Sequence, residues 1–309
     1  MFNYHSVTID DAKWAKPILI NANKNSCEYS FVNIYMWSKV YKTLICNYNN
    51  TIIARSVSPK FPDTSPYSYL FPVGSEDKEI VIKKIMEESS NDNREFLIFS
   101  ISKDEKKWME ETFVDTFEFL YSRDECDYIY QSELLSTLKG KKLQKKRNHL
   151  SQFLRECPNY KVEPITKDNL QEVIAFNNKW ASFSENAEDK GIEKEHNAVD
   201  LILENFLNLD LSGCLIRNNN DIIAFSYGSP LNKDMFCVHV EKAVYNINGA
   251  YNIINKEFVN MFCKNYKYVN REDDVGSEGL RKAKLSYKPE FLEEKYIAIL
   301  KNSNVNIYI

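Results

Sequence analysis

The run MFCVHVE at residues 235–241, continued by YNINGAYN at 245–252, decides how the C-terminal half is built. Six of the first seven residues are apolar, aromatic or β-branched types or the histidine that strands accept, which predicts a strand over 234–241. Strand alternation puts Met235, Cys237, His239 and Glu241 on one face and Phe236, Val238 and Val240 on the other. A loop follows, and a helix is expected from Gly249 to about 264, its apolar stripe made of Ala250, Ile254, Phe258 and Met261. Small residues at a helix start, here Asn248, Gly249 and Ala250, let an anionic group approach exposed N–H donors, and the macrodipole adds attraction. The same pattern also fits an ordinary capped helix and a core histidine. Glu241 fits that plainer reading less well, because a glutamate is seldom buried without a partner or a task.

The next segment is the second candidate for chemistry. A strand over 267–270 runs into NREDD at 270–274, and a helix is expected over 276–287. On that helix Leu280, Ala283 and Tyr287 would form the docking face. Arg281 and Lys284 would line the adjacent face, where they could grip a phosphate or carboxylate. The plainer reading is a surface helix whose cations pair with Glu272, Asp273 and Asp274.

Outward from these motifs, the C-terminal half reads as strand 160–165, helices 169–183 and 195–208, strands 211–217 and 222–229, and a final strand 293–300 closing the same sheet. The N-terminal half mixes helices (10–23, 28–37, 76–89, 103–113) with strands (41–47, 51–57, 95–101, 117–121, 126–130). Both halves predict an α/β (α+β) arrangement, a sheet covered by helices, and the similar element order suggests a duplicated unit. The expected division is an N-terminal domain at 1–135, a basic linking helix at 136–158 and a C-terminal domain at 159–309. Six of the nine residues 139–147 are Lys or Arg, with Leu143, Leu150 and Leu154 at helical spacing. That segment is either a solvated connecting helix or a contact for phosphates of RNA, a nucleotide or lipid headgroups.

The 309 residues amount to about twice a typical single domain. With 43% hydrophobic and 27% charged residues and only 8 Gly, the composition is that of a folded protein, not of a disordered or fibrous one. The net charge of −4 means that any phosphate-binding surface must be local. No apolar run is long enough to span a membrane. The seven cysteines are scattered without a CxxC, which reads as reduced thiols in a cytoplasmic protein. The four histidines show no zinc-ligand spacing, so no metal is expected. The chain also lacks a Walker A loop, GxGxxG, GxSxG and HExxH. This weighs against a P-loop NTPase, a Rossmann dehydrogenase, a standard α/β-hydrolase and a zincin protease.

Taken together, DYIY (127–130), LKGKKLQKKRNH (138–149), NREDDVG (270–276), GLRKAK (279–284) and YKP (287–289) make the chain resemble a known bacterial family of unknown function. Its domain is similar to the C-terminal domain of phosphatidylglycerol lysyltransferases (DUF2156-like). The resemblance runs roughly from Glu28 to Ile297. It implies two tandem GNAT-like units, mixed sheets flanked by helices. Relatives include the lysyltransferases and the Fem-type peptidyltransferases, which use aminoacyl-tRNA. Lys284 matches the lysine of the lysyltransferases' Phe-Lys pair, with Ala283 in place of the Phe. Tyr287 matches the later aromatic, Pro289 the proline, and Asn248-Gly249 the family's Asn-Gly. The multi-span membrane domain of the lipid enzymes is absent from this sequence, while contact with a membrane surface stays open.

The resemblance and the residues together lead to an expected acyl- or aminoacyltransferase. An amine or hydroxyl acceptor would attack the activated carboxyl carbon of an acyl-CoA thioester or an aminoacyl-tRNA ester. That chemistry needs proximity, a base and stabilisation of an oxyanion. Glu241, with His239, is the candidate base, and Tyr287 the proton donor to the leaving group. Asn248, Gly249, Ala250, Arg281 and Lys284 would hold phosphates or a carboxylate of the small-molecule or tRNA donor. The alternative is a catalytically degenerate module that binds an anion or a nucleotide.

Overall fold

The computed structural model describes residues 1–57, 66–182 and 190–301. Two compact units emerge, one made of Met1–Asp127 with the C-terminal segment from Glu293, the other of Tyr128–Leu292.

In the first unit the strands are β1 (His5–Ser6), β2 (Leu44–Tyr48), β3 (Thr51–Val57), β4 (Tyr67–Leu70), β5 (Val73–Gly74), β6 (Phe96–Ile101) and β7 (Phe117–Tyr121), joined by the last strand of the chain, β15 (Tyr296–Leu300). Their order is β1-β2-β3-β4-β6-β15-β7, with β5 on β3. Helices α1 (Ala12–Asn21), α2 (Phe31–Tyr41), α3 (Lys78–Asn91) and α4 (Lys103–Thr112) complete the unit. Val81, Ile82 and Ile85 of α3 and Met109 of α4 share a buried core with Tyr69, Phe96 and Ile98 from the sheet. Asp77 caps α3 by accepting from the amides of Glu79 and Ile80, worth about 1 kcal/mol. Ser102 and Glu105 form a reciprocal capping box on α4.

The second unit holds β8 (Asp127–Gln131), α5 (Ser132–Thr137), α6 (Gln144–Glu156), β9 (Lys161–Pro164), α7 (Leu170–Ser182), α8 (Lys190–Glu204), β10 (Ser212–Asn218), β11 (Asp221–Pro230), β12 (Met235–Ala243), α9 (Ala250–Phe262), β13 (Tyr268–Asn270), α10 (Glu278–Leu285) and β14 (Phe291–Glu293). The sheet order is β14-β8-β13-β12-β11-β10-β9. β12 and β13 run parallel, while β13 is antiparallel to β8, and β11 to β12. Each unit is thus a mixed sheet flanked by helices, the architecture expected of the tandem acyltransferase-type family.

Several expectations are corrected. Strand 293–300 does not close the second sheet; β15 pairs with β6 and β7 of the first. Strand 126–130 belongs to the second sheet as β8. Alternation shows that a segment is a strand but says nothing about which edge it joins, and both strands join at a distance in sequence. The compact units accordingly divide at 127/128 and 292/293, where the sequence placed boundaries at 135 and 159. The basic segment lies inside the second unit. Leu143 and Phe153 are buried in the core that also contains Ile253, Ile254 and Phe258 of α9. Leu154, expected on the apolar stripe, is exposed, and so is Met261 of α9. The expected helix 169–183 ends with a residue outside the described set.

Candidate active site

The centre of the second unit is β12, and a β-bulge controls it. Tyr227 of β11 sits opposite Val240 and Gly228 opposite Val238, so His239 is the extra residue. The bulge needs Gly228, because a Cβ there would lie 2.2 Å from the Cys237 carbonyl oxygen. One added residue inverts the alternation beyond it. His239 and Cys237 therefore face Glu272, whereas Glu241 faces α9 and Arg271. The expectation that His239 and Glu241 share a face fails for this reason.

On the first face, the His239 imidazole is clamped at both nitrogens. Nδ1 lies 2.9 Å from Glu272 Oε1, and Nε2 lies 2.9 Å from Ser229 Oγ. A carboxylate only accepts, so it draws the ring proton to Nδ1 and leaves Nε2 to accept from the serine hydroxyl. Glu272 adopts a left-handed φ of 56°, uncommon for a side chain of this kind, and its amide donates to Asn270 Oδ1 at 2.6 Å. The Cys237 thiol is 3.8 Å from Glu272 Oε1. Cys237, His239 and Glu272 each offer a donor atom within 4.8 Å of the others, a set chemically able to hold a borderline metal such as zinc. The similar set Cys27, Glu28 and Asp127 in the first unit already surrounds an ammonium: Lys295 Nζ is 2.7 Å from both Glu28 Oε1 and Asp127 Oδ1.

On the opposite face, Glu241 forms a buried ion pair with Arg271, with Oε2 2.7 Å from Nη2 and 2.9 Å from Nε. Asn255 of α9 donates to the same oxygen at 3.3 Å. The other carboxylate oxygen, Arg271 Nη1, Asn255 Oδ1 and the Ser226 hydroxyl are buried and have no hydrogen-bond partner among the described residues. Arg271 also stacks on Tyr287, its guanidinium 4.7 Å from the ring centre. Lys146 of α6 lies 3.8 Å above the same ring. Burial, and then the Arg271 and Lys145 charges, push the Lys146 ammonium down to about 8. Burial pushes the Tyr287 phenol up to about 12, and its oxygen accepts from Asn252 at 2.8 Å.

The cations expected to grip a ligand are already engaged. Arg281 makes a two-pronged pair with Asp274, Nε to Oδ2 at 2.9 Å and Nη2 to Oδ1 at 2.8 Å. Lys284 donates to the carbonyls of Arg271, at 2.7 Å, and of Asp273. The face of α10 expected to dock, Leu280 with Ala283, is the exposed one, because the charged groups of the preceding loop draw Arg281 and Lys284 inward. At the start of α9, Gly249 has φ +82° and a Cβ would sit 2.4 Å from the His149 carbonyl, so only glycine fits. The Ala250 amide is taken by Ile247 O at 3.3 Å, which removes one donor of the expected anion cradle.

The sequence reading put His239 and Glu241 on one face, and the structure sets them on opposite faces, with Tyr287 bonded to Asn252 of α9 and Gly249 at that helix's start. The sequence reading did not single out Ser229, Arg271, Asn252 or Asn255, and it took the segment with Lys146 as a solvated helix or a phosphate contact, not as a lysine set over a tyrosine ring. Lys146, Leu150 and Phe153 stand at four- and three-residue steps, the one signal that could have turned Lys146 inward. Two surface depressions, one bordered by Lys106 and Glu110 and one by Gln131 and Lys267, include none of these residues.

Comparison with known proteins adds the family. Residues 21–299 match the family described as phosphatidylglycerol lysyltransferase, C-terminal. A conserved protein of unknown function from Bacteroides thetaiotaomicron is 35% identical, with a TM-score of 0.91 over 97% of this chain and 100% of that one. The L-PGS of Bacillus licheniformis shares the fold at 15% identity and a TM-score of 0.65, over 95% of this chain and 93% of that one. An uncharacterized protein of Mycoplasmoides gallisepticum is 28% identical over 179 residues, 55% of this chain and 55% of that protein. The match therefore spans about half the length of that relative. Among the described residues, no helix is long and apolar enough to cross a membrane.

Proposed function

The chain belongs to the phosphatidylglycerol lysyltransferase C-terminal family, and from that membership and the chemistry around β12 we propose that it transfers an activated acyl or aminoacyl group to an amine or hydroxyl acceptor. The donor would be an acyl-CoA thioester or an aminoacyl-tRNA ester. The observation that carries this reading is the imidazole of His239 held between Glu272 and Ser229. A base fixed in one tautomer, with its free lone pair on a hydroxyl, is what deprotonating an acceptor requires. The role of base therefore falls to His239 rather than Glu241, whose carboxylate is committed to Arg271. Tyr287 and Lys146 lie with Arg271 on the other face of the strand, so protonation of the leaving group falls to the His239 imidazolium rather than to Tyr287.

A panel of CoA thioesters and aminoacyl-tRNAs, each with amine and hydroxyl acceptors, tests this. Turnover with one donor class is expected, and His239→Gln should lower it by about 10²–10⁴-fold with an unchanged melting curve. Undiminished turnover in that variant removes His239 from the mechanism.

A second reading, an anion- or nucleotide-binding module without chemistry, draws on the buried polar atoms around Arg271 that have no partner among the described residues. It differs in one observable: ligand would raise the melting temperature of wild type and His239→Gln equally, with no product formed.

A further inference from the structure

We propose that Ser229 is a covalent acyl carrier, so that transfer proceeds in two steps through an ester on this chain. The inference deepens the transferase reading and rests on it. Ser229 lies opposite Cys237, immediately after the glycine that permits the bulge, and the bulge turns His239 toward it. The hydroxyl, imidazole and carboxylate form one continuous chain, with 2.9 Å at each link. The orientation is the productive one, since Glu272 keeps the proton on Nδ1 and the Nε2 lone pair receives the serine proton. A weak nucleophile is activated by an adjacent base that a third group orients, and these three residues supply those parts. Glu272 reaches the imidazole from a left-handed backbone position, fixed by the Asn270 side chain, and retains 23% of its side-chain exposure. The exposure of the cluster lies at this carboxylate end, while Ser229 and the His239 ring are buried.

In the first step Ser229 Oγ attacks the carbonyl carbon of the thioester or ester donor while its proton passes to His239 Nε2. The bond to the leaving thiol or hydroxyl breaks, and that group takes the proton from the imidazolium. The product is an acyl-serine ester. In the second step the acceptor attacks this ester, gives its proton to Nε2, and Ser229 leaves as the hydroxyl after taking that proton back. No oxidant, reductant or metal enters the balance.

The experiment uses the full chain in EDTA, with p-nitrophenyl acetate as the probe and no acceptor. A burst of about one p-nitrophenolate per chain is expected, together with an acetyl mass gain on the peptide containing Ser229. Both should vanish in Ser229→Ala and slow by at least about tenfold in His239→Gln. A fluorophosphonate probe should label the same peptide of the wild type, a readout that does not depend on any variant folding. Absence of burst and labelling, or an adduct on Cys237 instead, overturns the proposal. Transfer that is detected with a CoA or tRNA donor and persists in Ser229→Ala overturns it while leaving the transferase reading intact. A Ser229 adduct without transfer to any acceptor in the panel sinks that reading and leaves the nucleophile.

Discussion

His239 and Glu241, two residues apart on β12, point to opposite sides of the sheet. The bulge at His239 separates them, and with them two polar clusters: a hydroxyl–imidazole–carboxylate chain on one face, and a buried arginine–glutamate pair under Tyr287 and Lys146 on the other. The strand thereby serves as a partition between a basic centre and a charged, stacked one.

The bulge itself is testable. Gly228→Ala places a methyl 2.2 Å from the Cys237 carbonyl, with backbone rather than a flexible side chain in its way. A loss of about 1–3 kcal/mol is expected in urea denaturation. Stability equal to wild type would mean that the register around His239 does not depend on this contact.

The Glu241–Arg271 pair gives a sharper result. Arg271→Met leaves a carboxylate buried and unpaired, which should cost about 3–5 kcal/mol. Adding Glu241→Gln should restore most of it, because the uncompensated charge is then gone. If the double variant is as unstable as the single one, the pair is not what holds the two groups in place.

Lys146 carries a pH signature. Its ammonium titrates near 8 in the folded chain and at an ordinary lysine value when unfolded. Between those values the unfolded state binds more protons, so stability should rise with pH; below 8 the burial penalty is present in full. Lys146→Met should lack that rise when denaturation is compared at pH 7 and pH 10. Identical slopes for the two proteins would place Lys146 in water.

Asp274 has the opposite sign. Burial alone would raise its carboxyl, but hydrogen bonds from Arg281, Tyr128 and the Gly276 amide hold it well below the usual carboxylate range. Its stabilisation is present above the unfolded value near 4 and disappears as pH falls below it. Arg281→Ala should therefore cost about 1.5–3 kcal/mol at pH 7 and progressively less as pH falls below about 4. It should leave donor binding unchanged. Weakened binding with intact stability would return Arg281 to the ligand site.

The elements and the family were legible in the chain. Apolar periodicity predicts the helix over α9 and the strand over β12, and glycine at 249 marks a backbone position that no other residue fits. Motifs such as NREDDVG carry the family resemblance regardless of what they touch. What a local pattern cannot contain is an event set by a neighbouring strand. The bulge exists because β11 and β12 pair out of step by one residue, and β15 and β8 find their sheets through partners distant along the chain. Charge shows the same division. The sequence determined that Lys146, Arg271, Arg281 and Lys284 are cations, but only packing decided which lie under an aromatic ring and which are spent on Asp274 or on backbone carbonyls. Periodicity is written in consecutive residues, whereas a site is made by side chains that meet across elements, and their meeting depends on register, burial and competing partners.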